Sequence, residues 1–345
     1  MKKVFVSIFE CKPGMRIAED IFNEYGAIII ADGTVLDDYL IERIIDLGIH
    51  RVRIYDTEGN VIEVSNSELF RAQYNENVNS VKNILHDISN GKKIDTERMN
   101  HATRSILSRI NENRDIVNCI SEMRAAGEYL YTHSINVSLL SMLMGKWLKY
   151  DFGKLRSLVT AGFLHDIGKC KVPQEILNKP GKLEEEEFEE VKKHCVIGYQ
   201  LAESFDGMNE DILKGILQHH EREDGSGYPF GLKGDRIHET ARIIAVADIY
   251  DAMTSNTYYR ERFCPFDVIE CMEKDYFGIL DHRIISIFLR NIASYYLGEM
   301  VRLSNGEMGE IVHINPFNIA RPIIKSGIKY IDLSAESKVK IAELL

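Results

Sequence analysis

Apolar positions change their period twice along this chain, and the changes predict three kinds of structure. Over residues 1–65 they come in short runs, Val4–Ile8, Ala27–Ile30, Val52–Tyr55 and Val61–Val64, broken at Lys12-Pro13-Gly14, Ala31-Asp32-Gly33 and Asp56–Asn60. Runs bounded by turn residues read as strands. Between them Leu40, Ile41, Ile44, Ile45 and Leu47 keep helical spacing within Leu36–Ile49, with Gly48 at a capping position. A small α+β domain is expected, serving regulation, dimerisation or scaffolding.

From residue 66 the period is helical. Val81, Ile84, Leu85 and Ile88 form one stripe before an Asn90-Gly91 break, and Ile106, Leu107 and Ile110 begin another, so residues 66–112 read as a helical connector. Residues 113–297 read as an all-helical centre, which makes the protein mostly α. After residue 298 short apolar segments return: Met300–Leu303, Gly309–Ile314, Pro322–Lys325 and Ile328–Leu333. Asn305-Gly306 lies between the first two as a hairpin signal. A small β module without catalytic residues is expected over 298–345.

The helical centre carries polar residues where an apolar stripe demands none. His133 falls in the stripe Leu130, Val137, Leu140 and Met144 of a helix over Glu128–Leu148. Leu155, Leu158, Val159 and Gly162 lead to His165-Asp166. A helix over Val191–Phe205 carries His194, one over Ile212–Glu221 carries His219-His220, and Asp248 lies among Ala241, Ile244, Ala245 and Ala252. A single histidine on an apolar face is usually a hydrogen-bonded core residue. Five histidines and two aspartates are satisfied together by one dinuclear centre, with Asp166 as the natural shared ligand. The acidic run Glu184–Glu190 reads as a solvated helix start.

Composition narrows the chemistry. The 345 residues carry a formal charge of -11 and a pI near 5.5, which argues against a long nucleic acid as partner. Metal ions would supply the cation that a small anionic substrate requires. The run Val4–Phe9 is too short for a signal peptide, and no segment reaches the roughly 20 apolar residues of a membrane span, so a cytoplasmic location is expected. The six cysteines have no paired spacing; Cys170 and Cys195 read as small buried thiols. Imidazole and carboxylate ligands suit iron or manganese better than a Cys-rich zinc site. Two metals about 4 Å apart generate a bridging hydroxide and clamp a phosphoryl oxygen, so phosphate-ester hydrolysis is the expected reaction. Lys169, three residues after Asp166, is placed to meet a phosphate, and the loop Glu221–Pro229 is either a close approach to a ligand or a simple Asp-Gly turn.

His165-Asp166-Ile167-Gly168-Lys169, followed by His219-His220-Glu221 and Gly227-Tyr228-Pro229, resembles the HD-GYP domain, a branch of the HD phosphohydrolases. The resemblance covers residues 113–297 and implies an HD-type helical bundle with accessory modules at either side. It also implies a cyclic di-GMP phosphodiesterase that opens its substrate to linear pGpG, with onward cleavage to GMP left open. Carried over by motif, the metal ligands are His133, His165, Asp166, His194, His219, His220 and Asp248. One metal is assigned His165, Asp166, Asp248 and His133, and the other Asp166, His194, His219 and His220. Asp166 and Lys169 are the catalytic residues, and Lys169, Gly227, Tyr228, Pro229 and Arg260 are the substrate contacts.

Two positions depart from the family pattern. Some members hold a third metal with a Glu four residues before the first His; here that position is Tyr129, with Glu128 a step of about 100° away, so two metals are expected. The family's Asp-Arg-Pro-Tyr-Arg is Asn256-Thr257-Tyr258-Tyr259-Arg260, which keeps the last cation and loses the first. That substitution motivates another cyclic dinucleotide as substrate, or a sensor with weak turnover. A mononucleotide-cleaving HD enzyme is a third reading, against which the Gly-Tyr-Pro loop speaks. A homodimer or a signalling partner is compatible with the accessory domain.

Overall fold

The computed structural model describes residues 2–8, 11–22, 28–46, 49, 51–56, 66–89, 92, 96–108, 116–117, 120, 129–255, 262–336 and 338–345. The expected strand Val61–Val64, the turn after Asp56, Gly48, Asn90-Gly91, Ile110, Glu128, Thr257 and Arg260 lie outside the described residues.

β1 (Lys2–Ser7) pairs antiparallel with β4 (Arg51–Asp56), from Lys2 opposite Asp56 to Ser7 opposite Arg51. Between them lie the hairpin of β2 (Ile21–Phe22) and β3 (Ile28–Ile30) and the helix α1 (Asp38–Asp46). Ile8, Ile17, Leu36, Ile44, Val52 and Ile54 close a core of their own here.

A second and larger core begins with α2 (Asn66–Ser89) and α3 (Thr96–Leu107). Both helices are walls of the bundle. Tyr74, Val78, Val81 and Ile84 from the first and Met99, Ala102 and Ile106 from the second are buried in one cluster with α4 (Tyr129–Trp147) and α5 (Phe152–Leu164). Enclosed in this way, α4 is buried from Thr132 to Gly145 on every side, where the sequence suggested a single apolar stripe. Gly162 makes the crossing with α5 close, since a Cβ there would meet Ser138 Cα at 3.0 Å.

A 3-10 turn (Ile167–Lys171) follows α5, then α6 (Gln174–Leu177), α7 (Glu185–Lys192), α8 (His194–Glu203), α9 (Glu210–Gln218), α10 (Glu239–Thr254), α11 (Pro265–Asp275) and α12 (His282–Ser294). The acidic run starts α7, with Glu184 and Glu187 closing a capping box. The helix expected over Val191–Phe205 is two helices meeting at Lys193, and α9 stops at Gln218, one residue short of His219-His220.

Val301, Ile311, Ile324 and Ile341 join the bundle core from the C-terminal sheet. Its order is β8-β7-β6-β5-β9, all antiparallel: β5 (Met300–Leu303), β6 (Met308–Asn315), β7 (Asn318–Ser326), β8 (Lys329–Asp332) and β9 (Ile341–Leu344). The pattern of apolar runs missed β9, a short strand with one buried residue that pairs back to β5. Arg321 to Glu270 and Lys340 to Asp267 tie the sheet to α11. Among the described residues no helix is long and apolar enough to cross a membrane.

Candidate metal centre

Three histidines stand at helix ends and are held there in the same way. His165 Nδ1 donates to Gly162 O at 2.8 Å, His194 Nδ1 to Val191 O at 2.6 Å and His219 Nδ1 to Ile216 O at 2.7 Å. Each carbonyl is among the last four of its helix, where the i to i+4 ladder runs out of donors. The ring satisfies that acceptor, and its Nε2 lone pair is thereby turned to the interior. His133, inside α4, obtains the same orientation from a carboxylate: its Nδ1 lies 2.8 Å from Asp251 Oδ2.

The inward nitrogens converge on Asp166. Its Oδ2 lies 3.3 Å from His165 Nε2 and 3.8 Å from His133 Nε2, while Oδ1 lies 3.3 Å from His194 Nε2 and 3.9 Å from His219 Nε2. One carboxylate thus faces two groups of imidazoles, one with each oxygen. Asp248 sits between His133, whose Nε2 is 3.1 Å from Oδ1, and His220, whose Nδ1 is 3.8 Å from Oδ2. His194, Cys195, His219 and His220 offer donor atoms within 4.8 Å of one another, as do His133, His165 and Asp166.

Protonation favours cations at this place. Burial lowers His194 to about 4 and pushes His219 and His220 well below the usual imidazole range. Burial raises Asp166 and Asp248, but Lys169 and His165 beside the one and His133 beside the other outweigh it, so both carboxyls are held low. His133 is the exception: burial lowers it, yet Asp248 and Asp251 carry it up to about 10. A lone pair between buried carboxylates requires a positive charge, which a proton or a metal can supply. His165 Nε2 and Asp166 Oδ1 are buried without a hydrogen-bond partner. Orphaned inward donors, neutral imidazoles and ionised carboxylates together fit divalent cations.

Lys169 lies on the 3-10 turn with its ammonium 2.6 Å from Asp166 Oδ2. Gly168 lets this turn lie directly against the start of α8, because a Cβ there would be 2.0 Å from His194 O. Beyond His220, the loop folds back onto the centre. Tyr228 N donates to His220 O at 3.1 Å, and the two rings are 4.6 Å apart at 33°. Gly227 is packed against backbone, with His220 O 2.4 Å from where its Cβ would be. Pro229 follows across a cis peptide and is half-buried. Of the residues expected to meet substrate, Lys169, Gly227, Tyr228 and Pro229 are grouped here and Arg260 is outside the described residues; α4 begins at Tyr129, with Glu128 also outside.

Residues that the apolar pattern does not single out complete the site. Buried Asp251 holds His133 and also accepts from Asn136 Nδ2 at 2.9 Å, and Asn136 Oδ1 in turn accepts from Tyr74 OH of α2 at 2.7 Å. Glu221 is buried and accepts from Phe230 N and Leu232 N, both at 2.8 Å, which pins the Gly-Tyr-Pro loop. A signal for two of them existed, since Asp251 and Asn136 each lie three residues after an expected ligand on the same helix face. Cys195 is a buried thiol as expected, with its Sγ 3.5 Å from His194 Nε2; burial pushes it up, so it stays protonated.

The HD domain family model matches residues 98–278, a span that holds every one of these donors. The chain is 32% identical over 264 residues to a cyclic di-GMP phosphodiesterase of Pseudomonas aeruginosa, covering 76% of this chain and 62% of that one. It is 35% identical over 173 residues to a 3'3'-cGAMP-specific phosphodiesterase of Vibrio cholerae, covering 50% of this chain and 40% of that one. It therefore spans less than two thirds of the length of either relative. Among solved structures, an HDG"Y"P protein from Bdellovibrio bacteriovorus shares the fold with a TM-score of 0.52 at 16% identity, over 83% of this chain and 98% of that one.

Proposed function

The chain belongs to the HD-domain family, and on that premise we propose that it is a metal-dependent phosphodiesterase acting on a cyclic dinucleotide, cyclic di-GMP foremost. The observation that carries this reading is Asp166, whose two oxygens face separate groups of inward imidazole nitrogens. His133, His165, Asp166 and Asp248 would hold one cation, and Asp166, His194, His219 and His220 the other, with iron or manganese favoured by the nitrogen and oxygen donors. When bound, such a pair lowers the pKa of water and neutralises charge on a phosphoryl oxygen.

The protein's own groups do the rest. Lys169, fixed against Asp166, brings an ammonium to the phosphodiester and stabilises charge gathering on it. Tyr228 lies over His220 beside the centre, with Pro229 after it, and burial keeps the Tyr228 hydroxyl protonated. Arg260 is proposed to hold the second phosphate. Linear pGpG is the proposed product, and GMP follows if the same centre accepts it. The free thiols of Cys11, Cys170, Cys195, Cys264 and Cys271 support a reducing, cytoplasmic setting.

Incubating metal-loaded protein with cyclic di-GMP and resolving the products by chromatography tests the reading. Intact substrate with both iron and manganese would sink it. Thr257 and the relative named for 3'3'-cGAMP favour running that dinucleotide in parallel. Tight binding of cyclic di-GMP without cleavage would select the sensor instead, and turnover of deoxynucleotides alone would select a nucleotidase.

A further inference from the structure

Phe188 is a large apolar side chain left in water beside the centre. It is 43% exposed, on α7, the helix that ends two residues before His194. Its ring meets that of Tyr228 edge to face, 6.0 Å apart at 83°. Tyr228 lies tilted over His220 at 4.6 Å, and His220 lies 4.1 Å from His219. A stair of rings therefore runs from the buried donors to the surface. Lys192 holds its outer end, with its ammonium 4.8 Å over the Phe188 ring and 5.7 Å over Tyr228 while it pairs with Glu189.

Nothing in the metal chemistry uses this outer step. Rings set edge to face leave a corner in which a flat group can cover one ring and touch the edge of the other. The Lys192 ammonium, paired with Glu189 on the surface, lies over both rings and swings aside when a flat group enters that corner. A nucleobase has the flat face that the corner fits, and stacking on it tolerates any base.

We propose that Phe188 and Tyr228 form a shelf on which one nucleobase of the substrate stacks while its phosphodiester lies at the centre. This rests on the phosphodiesterase reading and extends it from the phosphate to the base. Phe188 acts in binding and leaves the chemical step alone.

The experiment compares wild type, Phe188→Ala and Phe188→Trp by KM and kcat for cyclic di-GMP, by inhibition with inorganic phosphate and by metal content. Phe188→Ala should raise KM about tenfold with kcat within about twofold. Phosphate inhibition and metal content should not change, because phosphate has no base, and Phe188→Trp should restore KM. An unchanged KM, a failure of tryptophan to restore it, or an equal loss of phosphate inhibition would overturn the shelf. If wild type leaves the dinucleotide intact, the phosphodiesterase reading fails on its own. Equilibrium dialysis of cyclic di-GMP then decides the shelf: weaker binding to Phe188→Ala than to wild type supports it, and equal or absent binding overturns it.

Discussion

Asp251 Oδ2 lies 2.8 Å from His133 Nδ1, and this pair sets the one centre-facing imidazole whose Nδ1 does not bond a backbone carbonyl among His133, His165, His194 and His219. A carboxylate behind a ligand imidazole fixes its tautomer and raises its basicity. Asp251→Ala should weaken metal binding about 10–100-fold, read by titrating metal into the metal-free protein. An unchanged affinity would remove Asp251 from the support of the centre.

Asp166 is the residue whose loss should be felt by both groups of imidazoles. Asp166→Ala is expected to abolish turnover and to deplete both metals together, measured by metal analysis of anaerobically purified protein. Wild-type metal content in this variant would refute a shared ligand.

On the proposed reading, Lys169 meets substrate charge and holds no metal. Lys169→Ala should keep the metals and slow turnover about 100-fold, the scale of removing a single charge-stabilising donor from a reacting centre. Metal loss in parallel with activity would instead mark the lysine as a prop for Asp166.

Glu221 bears on the loop. Glu221→Ala leaves Phe230 N and Leu232 N without their acceptor, at a cost of ~2–4 kcal/mol. Denaturant unfolding should register that loss, with faster amide exchange at Phe230 and Leu232. Wild-type stability and exchange would show that the loop is held by something else.

The proton on His133 gives a pH dependence. With its pKa raised to about 10, His133 is protonated at neutral pH in the metal-free protein, and a cation must displace that proton. Apparent metal affinity should therefore rise with pH through neutrality and level off near pH 10. Calorimetry in buffers of different ionisation enthalpy should find about one proton released per centre at pH 7 from this residue. An affinity independent of pH between 6 and 8, taken as about the range where His133 stays charged, would contradict the assignment.

What the sequence determined by itself was the inventory of the centre and the period of the elements carrying it. Five histidines and two aspartates in apolar stripes are legible because an unpartnered polar group in a core is costly, whatever the fold. The strands Met300–Leu303 and Arg51–Asp56 were legible for a similar reason, since alternation and turn residues are local.

Tertiary structure alone decided which groups meet. The break at Lys193 and the early stop of α9 follow from imidazoles that bond carbonyls at helix ends, and a helical stripe cannot announce that bond. The pairing of Asp251 with His133 spans 118 positions, and β1 finds β4 from the far end of the first core. Phe188 and Tyr228 share a corner only because α7 and the Gly-Tyr-Pro loop are folded against each other. Periodicity reports which face of an element avoids water; it holds no information on which other face it will meet, because that is set by the packing of the whole chain.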